Sequence, residues 1–274
     1  MDLGDVVFLV TAAAGLGIRR VRLTGGEPLL RPDLLEIVAA LRSCVGISEV
    51  TLTTNGLLLA DMAARLKQVG LARVNVSVDS LRPERYRYLT RGGELHVVLT
   101  GLAAALDAGL TPVKVNCVVI GGINDDEIAD FAALTYTEPL SVRFIELMPF
   151  GVAGDWPATR FVSVKTMQES LGVLESAQEV GNGPAKVFRL PRAKGTIGFI
   201  SGHSEHFCAT CNRLRVTARG AVRPCLFSDV EADVLRAVKR RDRAAVSAIL
   251  LETASSKAPR EAILVGARMA EIGG

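Results

Sequence analysis

The sequence predicts an α/β fold in which a parallel sheet forms part of a barrel. Three observations lead to this prediction: β-branched segments alternate with helical ones, valines alternate with polar residues along the β-branched segments, and both patterns stop near Pro149. Hydrophobic residues make up 49% and charged residues 22% of the 274-residue chain. This composition supplies enough apolar side chains for a packed core, and it excludes a disordered or fibrous protein.

The composition also argues against membrane and nucleic-acid partners. No apolar run reaches the roughly 20 residues that are needed to cross a bilayer. The first five residues, Met1–Asp5, are acidic and lack the basic region of a secretory signal. The net charge of +3 is too small to indicate a general nucleic-acid surface. We therefore expect a cytoplasmic protein that binds neither a membrane nor nucleic acid.

Five segments in the first half are predicted as strands because β-branched residues dominate them. In chain order they are Arg20–Thr24, Val50–Thr54, Arg73–Asp79, Val113–Ile120 and Val142–Leu147. Buried parallel strands are usually continuous apolar runs, but here polar residues occupy alternate positions. An antiparallel sheet with a solvent face would also explain the alternation. The helical segments between the strands favour a parallel sheet whose polar face lines a ligand site.

Helical spacing of apolar residues is found between these strands. Apolar side chains recur every three or four residues in Leu34–Leu41, Leu59–Leu66 and Val98–Leu106. Met1–Gly15 is also predicted to be helical, so the chain begins inside a β-α unit. Asn124 and Glu127 are predicted to form a capping pair that opens a further helix.

The pattern changes after Pro149, and the domains are therefore predicted as residues 1–150 and 151–274. Residues 151–195 are rich in glycine, proline and charge. The elements predicted beyond Pro149 are a helix at Val164–Leu171, a strand at Thr196–Ser201, a hairpin of Arg213–Thr217 with Val222–Phe227, and a helical stretch at Glu231–Glu252.

Four of the predicted strands end in short polar motifs. They are Thr24–Pro28, Thr53–Gly56, Ser77–Ser80 and Glu146–Pro149. Ligands bind at the carboxyl ends of parallel strands, and the two glycines of the first motif would let a ligand approach the backbone. The Glu27 carboxylate is a candidate for holding an ammonium group. A tight β-α turn is the structural alternative for this motif.

Three of the five cysteines, Cys208, Cys211 and Cys225, lie within 18 residues and form a Cys-x2-Cys-x13-Cys motif. Cys44 and Cys117 stand alone in apolar segments, as buried thiols commonly do. An odd number of cysteines without a signal peptide argues against a disulfide framework and favours a metal. Spacing alone allows two metals: zinc, with His203 or His206 as fourth ligand, or an iron–sulfur cluster with one open iron.

Arg213 and Arg215 follow the cysteine pair and lie on one face of a predicted strand. Residues two apart on a strand are ~6.5 Å from each other, a spacing that suits two guanidinium groups gripping a polyphosphate. A solvated strand face is the alternative. Arg22 and Lys114, polar positions on otherwise apolar strands, could face the same ligand, because a buried cation without an anion is costly.

Eight motifs occur in a fixed order along the chain. They are Val21–Leu29, Leu52–Leu57, Val74–Ser77, Lys114–Asn116, Gly122–Asp125, Arg143–Met148, Phe207–Arg215 and Pro224–Phe227. Together with the terminal Gly273-Gly274, this set resembles the motifs of the GTP 3′,8-cyclase family. The members of that family are radical S-adenosylmethionine lyases of molybdenum cofactor biosynthesis. The resemblance covers nearly the whole chain.

The resemblance implies a partial (β/α)6-type barrel, similar to a TIM barrel, that lacks its first strand. The C-terminal cysteine region would complete the open side of this barrel. It implies that Cys208, Cys211 and Cys225 hold a [4Fe–4S] cluster. The GTP-binding positions that it implies are Arg22, Thr53, Lys114, Arg213, Leu214 and Arg215, and the S-adenosylmethionine positions are Gly26, Ser77 and Met148. It assigns no catalytic side chain.

The partners implied by the resemblance are GTP, S-adenosylmethionine and cyclic pyranopterin monophosphate synthase as the next enzyme. The electron donor is not identified, and a homodimer is compatible with the resemblance. A 5′-deoxyadenosyl radical would take the ribose 3′ hydrogen, after which the sugar carbon would attack C8 of guanine.

The sequence departs from the family at its first cluster. The family's N-terminal Cys-x3-Cys-x2-Cys loop, which binds the S-adenosylmethionine-cleaving cluster, does not occur, since Cys44 is the first cysteine. We therefore expect these residues to be inactive alone. Three hypotheses follow: a truncated form of a longer GTP cyclase, a non-catalytic paralogue that binds GTP, or a zinc-knuckle domain on a barrel relic.

Overall fold

A computed structural model of the protein describes residues 1–149, 153, 156–178, 183–204 and 211–257. The first part of the chain forms α1 (Leu3–Gly15), β1 (Arg20–Leu23), α2 (Leu34–Ser43), β2 (Glu49–Thr54), α3 (Leu59–Gln68), β3 (Arg73–Ser77), α4 (Pro83–Thr90), α5 (Leu95–Asp107), β4 (Lys114–Val119), α6 (Ile128–Thr137) and β5 (Ser141–Glu146). The later part forms α7 (Val164–Glu169), β6 (Glu175–Ser176), β7 (Lys186–Arg189), β8 (Thr196–Ile200), β9 (Arg215–Val216), β10 (Ala221–Arg223), β11 (Ala232–Asp233), α8 (Leu235–Lys239) and α9 (Arg243–Ser255).

The chain divides into two compact units. Unit 1 contains Met1–Thr53, Ala64–Ala72 and the described residues of Thr210–Gly274, and unit 2 contains Thr54–Ala63 and the described residues of Arg73–Ala209. No helix in the described ranges is long and apolar enough to cross a membrane.

Unit 1 joins the beginning of the chain to its C-terminal elements. β1 and β2 pair in parallel, and β9, β10 and β11 form a small antiparallel sheet. Leu9 and Ala12 of α1 share one apolar core with Val222 of β10, Val238 of α8 and Val246 of α9. An amphipathic helix gains most of its stability from such packing.

Charged residues also attach α1 to the C-terminal elements. Asp2 and Asp5 form a capping box at the start of α1. The Asp5 side chain is fully buried and forms ion pairs with Lys239 and Arg241 at the end of α8. The hydrogen bond from Lys239 lowers the pKa of Asp5, although burial opposes this effect.

Unit 2 is built on a mixed sheet with the strand order β3-β4-β5-β8-β7-β6. β3, β4, β5 and β8 are parallel, whereas β7 and β6 add in antiparallel orientation. The parallel arrangement of β1–β2 and of β3–β5 confirms the predicted α/β fold with mostly parallel strands.

Both faces of the parallel strands in unit 2 are buried. Val76 and Val115 are fully buried, and so are polar residues that alternate with such valines: Asn75, Lys114 and Arg143 are 1–3% exposed. Neighbouring strands align Asn75 with Lys114 and Asn116 with Arg143. At these positions the polar face is therefore not a solvent face, and the pairing is parallel, which excludes an antiparallel sheet with a solvent face here. Ser77 at the end of β3 and Arg20 and Arg22 of β1 are exposed.

The predicted capping pair is wrong. Asn124 makes no capping hydrogen bond, because its side chain binds the strand ends instead, and Glu127 turns to Ser80 rather than back to the cap. The stretch Glu231–Glu252 is mostly helical, as predicted, but it begins with β11 and is divided between α8 and α9 by a turn in which Arg241 has a φ of 54°.

Candidate functional site

The hairpin of β9 and β10 brings the described cysteines of the motif to one end of a small sheet. Arg215 pairs with Arg223 in antiparallel register, so Cys211, before β9, and Cys225, after β10, lie at the same end. The Phe227 amide donates a hydrogen bond to the Cys225 sulfur at 3.4 Å. This arrangement confirms the predicted hairpin, with shorter strands.

Arg213 and Arg215 are cations without a carboxylate partner in the described part of the chain. Arg223 instead pairs with Glu231 at 3.4 Å. Burial lowers the pKa of Arg213 and of Arg215, while the Cys211 sulfur opposes the shift at both and Cys225 opposes it at Arg215. The Arg215 Nε atom is buried and has no hydrogen-bond acceptor in the described ranges. An anionic ligand would satisfy both side chains.

The chemistry of this end of the hairpin fits a metal held by thiolates. Cys211 and Cys225 are partly buried free thiols that both interact with the Arg215 guanidinium, and cysteine sulfurs are ligands of zinc and of iron–sulfur clusters. Cys208 and His206 lie outside the described residues, and within those residues no three His, Cys, Asp or Glu side chains could hold a metal. The His203 ring packs edge-on against Phe161 at 4.8 Å.

Leu214, between the two arginines, faces the other way. It packs partly buried against the apolar core of unit 1. Successive side chains of an extended segment point to opposite sides, so this packing directs Arg213 and Arg215 away from the core.

The carboxyl end of β1 presents open glycine backbone. Gly25 has a φ of 130°, which favours glycine, and a Cβ atom at Gly25 or Gly26 would meet no atom within 4 Å. The Glu27 carboxylate accepts a hydrogen bond from the Leu29 amide at 3.0 Å and so caps the short 3-10 turn Pro28–Leu30. Capping is therefore a structural role for this side chain, alongside the predicted ammonium contact.

The predicted site residues are distributed over both units. Unit 1 contains Arg22, Gly26, Thr53, Cys211, Arg213, Leu214, Arg215 and Cys225, and unit 2 contains Ser77, Lys114 and Met148. In unit 2, Ser77 ends β3 and Met148 follows β5, which places both at the same edge of parallel strands. Lys114 lies at the first residue of β4, two residues before the level of Ser77. In unit 1, Arg22 pairs in register with Thr51, and Thr53 lies beyond it at the end of β2.

Glu146, the last residue of β5, organises the loops around this edge of unit 2. Its buried carboxylate accepts hydrogen bonds from the amides of Val164, His203 and Ser204 at 2.8–2.9 Å and from the Ser204 hydroxyl. Burial alone would raise the pKa of Glu146, but these hydrogen bonds bring it below its ordinary value of 4.5. The carboxylate therefore ties the start of α7 and the segment at 203–204 to β5.

Gly202 allows this segment to approach Met148 closely. A Cβ atom at Gly202 would stand 2.6 Å from the Met148 Cε atom and 2.9 Å from its Cγ atom. No real side chain tolerates such distances without moving its neighbour. The glycine therefore helps to set the position of the Met148 side chain.

The ends of β3 and β4 are joined by Asp79 and Asn124. The Asp79 carboxylate accepts a hydrogen bond from the Val118 amide at 2.8 Å, and the Asn124 amide group donates to the Asp79 carbonyl at 2.6 Å. Burial raises the pKa of Asp79 to about 6. Burial, with Asp79 nearby, also raises the pKa of the Cys117 thiol, which agrees with its interpretation as a core thiol.

Sequence reasoning did not assign roles to Glu146, Gly202 or Asp79. Glu146 and Asp79 lie within motifs that end predicted strands, so their position signalled the edge of the sheet. Their partners did not follow from the sequence, because Glu146 bonds to residues 57 and 58 positions away.

Two family models match most of the chain. The Radical SAM superfamily model matches residues 1–135, and the Molybdenum Cofactor Synthesis C model matches residues 140–263. The second model includes the cysteine and arginine residues of the hairpin.

Curated relatives match this chain over nearly its full length. A GTP 3′,8-cyclase from Pelotomaculum thermopropionicum is 46% identical over 100% of this chain and 87% of its own, and one from Alkaliphilus metalliredigens is 47% identical over 91% and 78%. Among solved structures, Streptococcus suis SuiB matches 86% of this chain and 57% of its own with a TM-score of 0.60 and 13% identity. That likeness shows a shared fold.

Proposed function

The chain belongs to the GTP 3′,8-cyclase family, radical S-adenosylmethionine enzymes of molybdenum cofactor biosynthesis, and from this membership we propose that it binds GTP through Arg213 and Arg215. The activity of the family is the conversion of GTP into its 3′,8-cyclised dihydro derivative. The single observation that carries the proposal is the pair of partly buried arginines without a carboxylate partner in the described ranges.

The triphosphate is the part of GTP that suits this pair. Each guanidinium can form two parallel hydrogen bonds to phosphate oxygens, and the buried Arg215 Nε would gain an acceptor. Arg22, Thr53 and Lys114 are proposed as further GTP contacts on the family pattern. Leu214 is proposed to contact GTP through its main chain, because its side chain packs against the core of unit 1.

Cys208, Cys211 and Cys225 are proposed to hold a [4Fe–4S] cluster. When bound, this cluster would supply an iron with an open position for a ring atom of guanine. The residues themselves would contribute the thiolates and the surrounding positive charge, and Arg213 and Arg215 would orient the nucleotide from the neighbouring positions.

Gly26, Ser77 and Met148 are proposed to bind S-adenosylmethionine. Supporting this role, Gly26 offers open backbone at the end of β1, and Gly202 and Glu146 fix the loops beside Met148. S-adenosylmethionine is the source of the radical in this family. The sequence does not contain the Cys-x3-Cys-x2-Cys motif for the cluster that cleaves it, so we assign no step through that cluster to these residues and expect no turnover from them alone.

We also propose the finer architecture implied by the family. Residues 1–150 would form part of a radical S-adenosylmethionine barrel and residues 151–274 the C-terminal region, whereas the two family models meet about ten residues earlier, one ending at residue 135 and the other beginning at residue 140. Cyclic pyranopterin monophosphate synthase would be the next enzyme.

The test is GTP binding by the anaerobically reconstituted chain, measured by calorimetry. We expect Arg213→Ala and Arg215→Ala each to weaken binding by about 10- to 100-fold, which corresponds to a lost charge-assisted hydrogen bond. Arg219→Ala is the matched control, since this exposed arginine lies in the turn of the same hairpin.

The outcomes test the polyphosphate site and distinguish an iron–sulfur cluster from zinc. Unchanged GTP affinity in both arginine variants would overturn the polyphosphate site. Metal analysis of the same samples should find iron and sulfide that are lost in Cys211→Ala and Cys225→Ala. Zinc in their place would favour the zinc-knuckle hypothesis.

A further inference from the structure

Lys257, two residues after the end of α9, reaches the first described cysteine of the motif. Its ammonium group donates a hydrogen bond to the Cys211 carbonyl oxygen at 3.0 Å and lies 3.9 Å from the Cys211 sulfur. The two residues are 46 positions apart in the chain, so the contact depends on the folded C-terminal elements.

The position of Lys257 is fixed by packing rather than by its own flexibility. α9 begins with a side-chain cap from Asp242 and buries Val246 and Leu250 in the core of unit 1. After α9 ends, the Ser256 hydroxyl bonds back to the Thr253 carbonyl. Lys257 therefore follows a helix whose packing places its end near Cys211.

The ammonium group has no carboxylate partner in the described part of the chain. A partly buried cation needs a counter-charge, and the sulfur is the group at hand that becomes negative when it binds a metal. Arg213 and Arg215 are also close to this sulfur, but they are proposed to face the nucleotide. Lys257 differs from them because its ammonium group also donates a hydrogen bond to the main-chain carbonyl of Cys211.

We propose that Lys257 is a positioning residue of the C-terminal cluster: it holds the Cys211 main chain and places a positive charge against the Cys211 sulfur. The inference rests on the proposed function, since it requires the cluster. Hydrogen bonds and positive charges at the sulfurs of a cluster stabilise its more negative, reduced form, so they raise its reduction potential. Loss of the Lys257 charge should therefore make the cluster harder to reduce.

The experiment measures the midpoint potential of the reconstituted cluster by redox titration followed by electron paramagnetic resonance, with iron and sulfide counted in each sample. The variants are Lys257→Gln, which removes the charge, and Lys257→Arg, which keeps it. Lys165→Gln is the matched control, because it removes a lysine charge from an exposed position on α7 in unit 2.

We expect the potential of Lys257→Gln to shift to a more negative value, while Lys257→Arg and Lys165→Gln stay near that of the unaltered chain. If Lys257→Gln fails to load iron while Lys257→Arg loads fully, the charge is still shown to be required. Loss of iron from both variants, or a fully loaded Lys257→Gln with an unshifted potential, would overturn the inference. If the unaltered chain contains no iron and sulfide, the proposed cluster itself is overturned. Because iron and sulfide are counted in the unaltered chain first, this failure is distinguished from a failure of the Lys257 inference.

Discussion

Replacement of Glu146 by glutamine tests whether one carboxylate organises the loops at the edge of unit 2. One carboxylate oxygen accepts from the Val164 amide and the Ser204 hydroxyl, and the other accepts from the amides of His203 and Ser204. Glutamine keeps one acceptor oxygen and replaces the other with an amide NH2 group. The substitution changes almost no volume, so its effect reports on hydrogen bonding.

The magnitude follows from which donors lose their acceptor. In the better orientation, the new NH2 group faces Val164 and Ser204. The Ser204 hydroxyl can rotate and accept, but the Val164 amide is left without a partner. A buried unsatisfied donor costs about 1–3 kcal/mol, so we expect Glu146→Gln to lower the free energy of unfolding by about 2 kcal/mol. Glu146→Ala leaves all four donors without their acceptor and should cost about 4 kcal/mol.

The assay is urea unfolding at pH 7, with Ser204→Ala and Glu169→Gln measured in parallel. Ser204→Ala removes the hydroxyl and leaves the three amide hydrogen bonds, so it should cost about 1 kcal/mol. Glu169→Gln alters a carboxylate that is 64% exposed and should change stability by less than 0.5 kcal/mol.

The pH dependence supplies an independent check. Because the pKa of Glu146 is lowered in the folded protein, its contribution is complete above the ordinary value of 4.5 and is lost as the pH falls through the folded-state value. The difference between the unaltered chain and Glu146→Gln should therefore shrink in acid. A glutamine variant as stable as the unaltered chain at pH 7 would refute the reasoning.

Three further substitutions test other contacts. Burial raises the pKa of Asp79 to about 6, so ionisation of this carboxyl group destabilises the fold as the pH rises from 4 to 7. In urea unfolding, Asp79→Asn should therefore gain about 2 kcal/mol of stability relative to the unaltered chain over that range, and a difference that does not change with pH would contradict this. Gly202→Ala should displace the Met148 side chain and lower the free energy of unfolding by about 1–3 kcal/mol. The displacement should shift the Met148 methyl signal in nuclear magnetic resonance spectra, and an unmoved signal would contradict the close approach. Asp5→Asn removes the buried negative charge that pairs with the half-exposed Lys239. The free energy of unfolding should fall by about 2 kcal/mol, seen as a lower melting temperature, and an unchanged melting temperature would count against the ion pair.

The strands were predictable because their signal is local. β-branched residues and the spacing of apolar positions identified β1 to β5 within one or two residues at each end. β6 and β7 were not predicted, because Glu175–Ser176 and Lys186–Arg189 are short and show no alternation of apolar and polar residues. Asn124 was misassigned because a residue type that caps helices can equally bind neighbouring strand ends.

The sequence suggested the chemistry of the site but not its contacts. The cysteine spacing led to the proposal of a metal and the paired arginines to the proposal of a polyphosphate, and both stay predictions. The contacts of Glu146 with Ser204 and of Lys257 with Cys211 join residues 58 and 46 positions apart. No local pattern encodes such pairs, which only the packed fold brings together.

The shared core of α1 with β10, α8 and α9 has a consequence for synthesis on the ribosome. Leu9 and Ala12 are synthesised more than 200 residues before their partners Val222, Val238 and Val246. At about 5–20 residues per second, α1 waits on the order of ten seconds or more with its apolar face uncovered. Unit 2 ends at residue 209, so it can fold before unit 1 is complete. The apolar face of α1 is therefore expected to need protection by chaperones until the C-terminal elements have been synthesised.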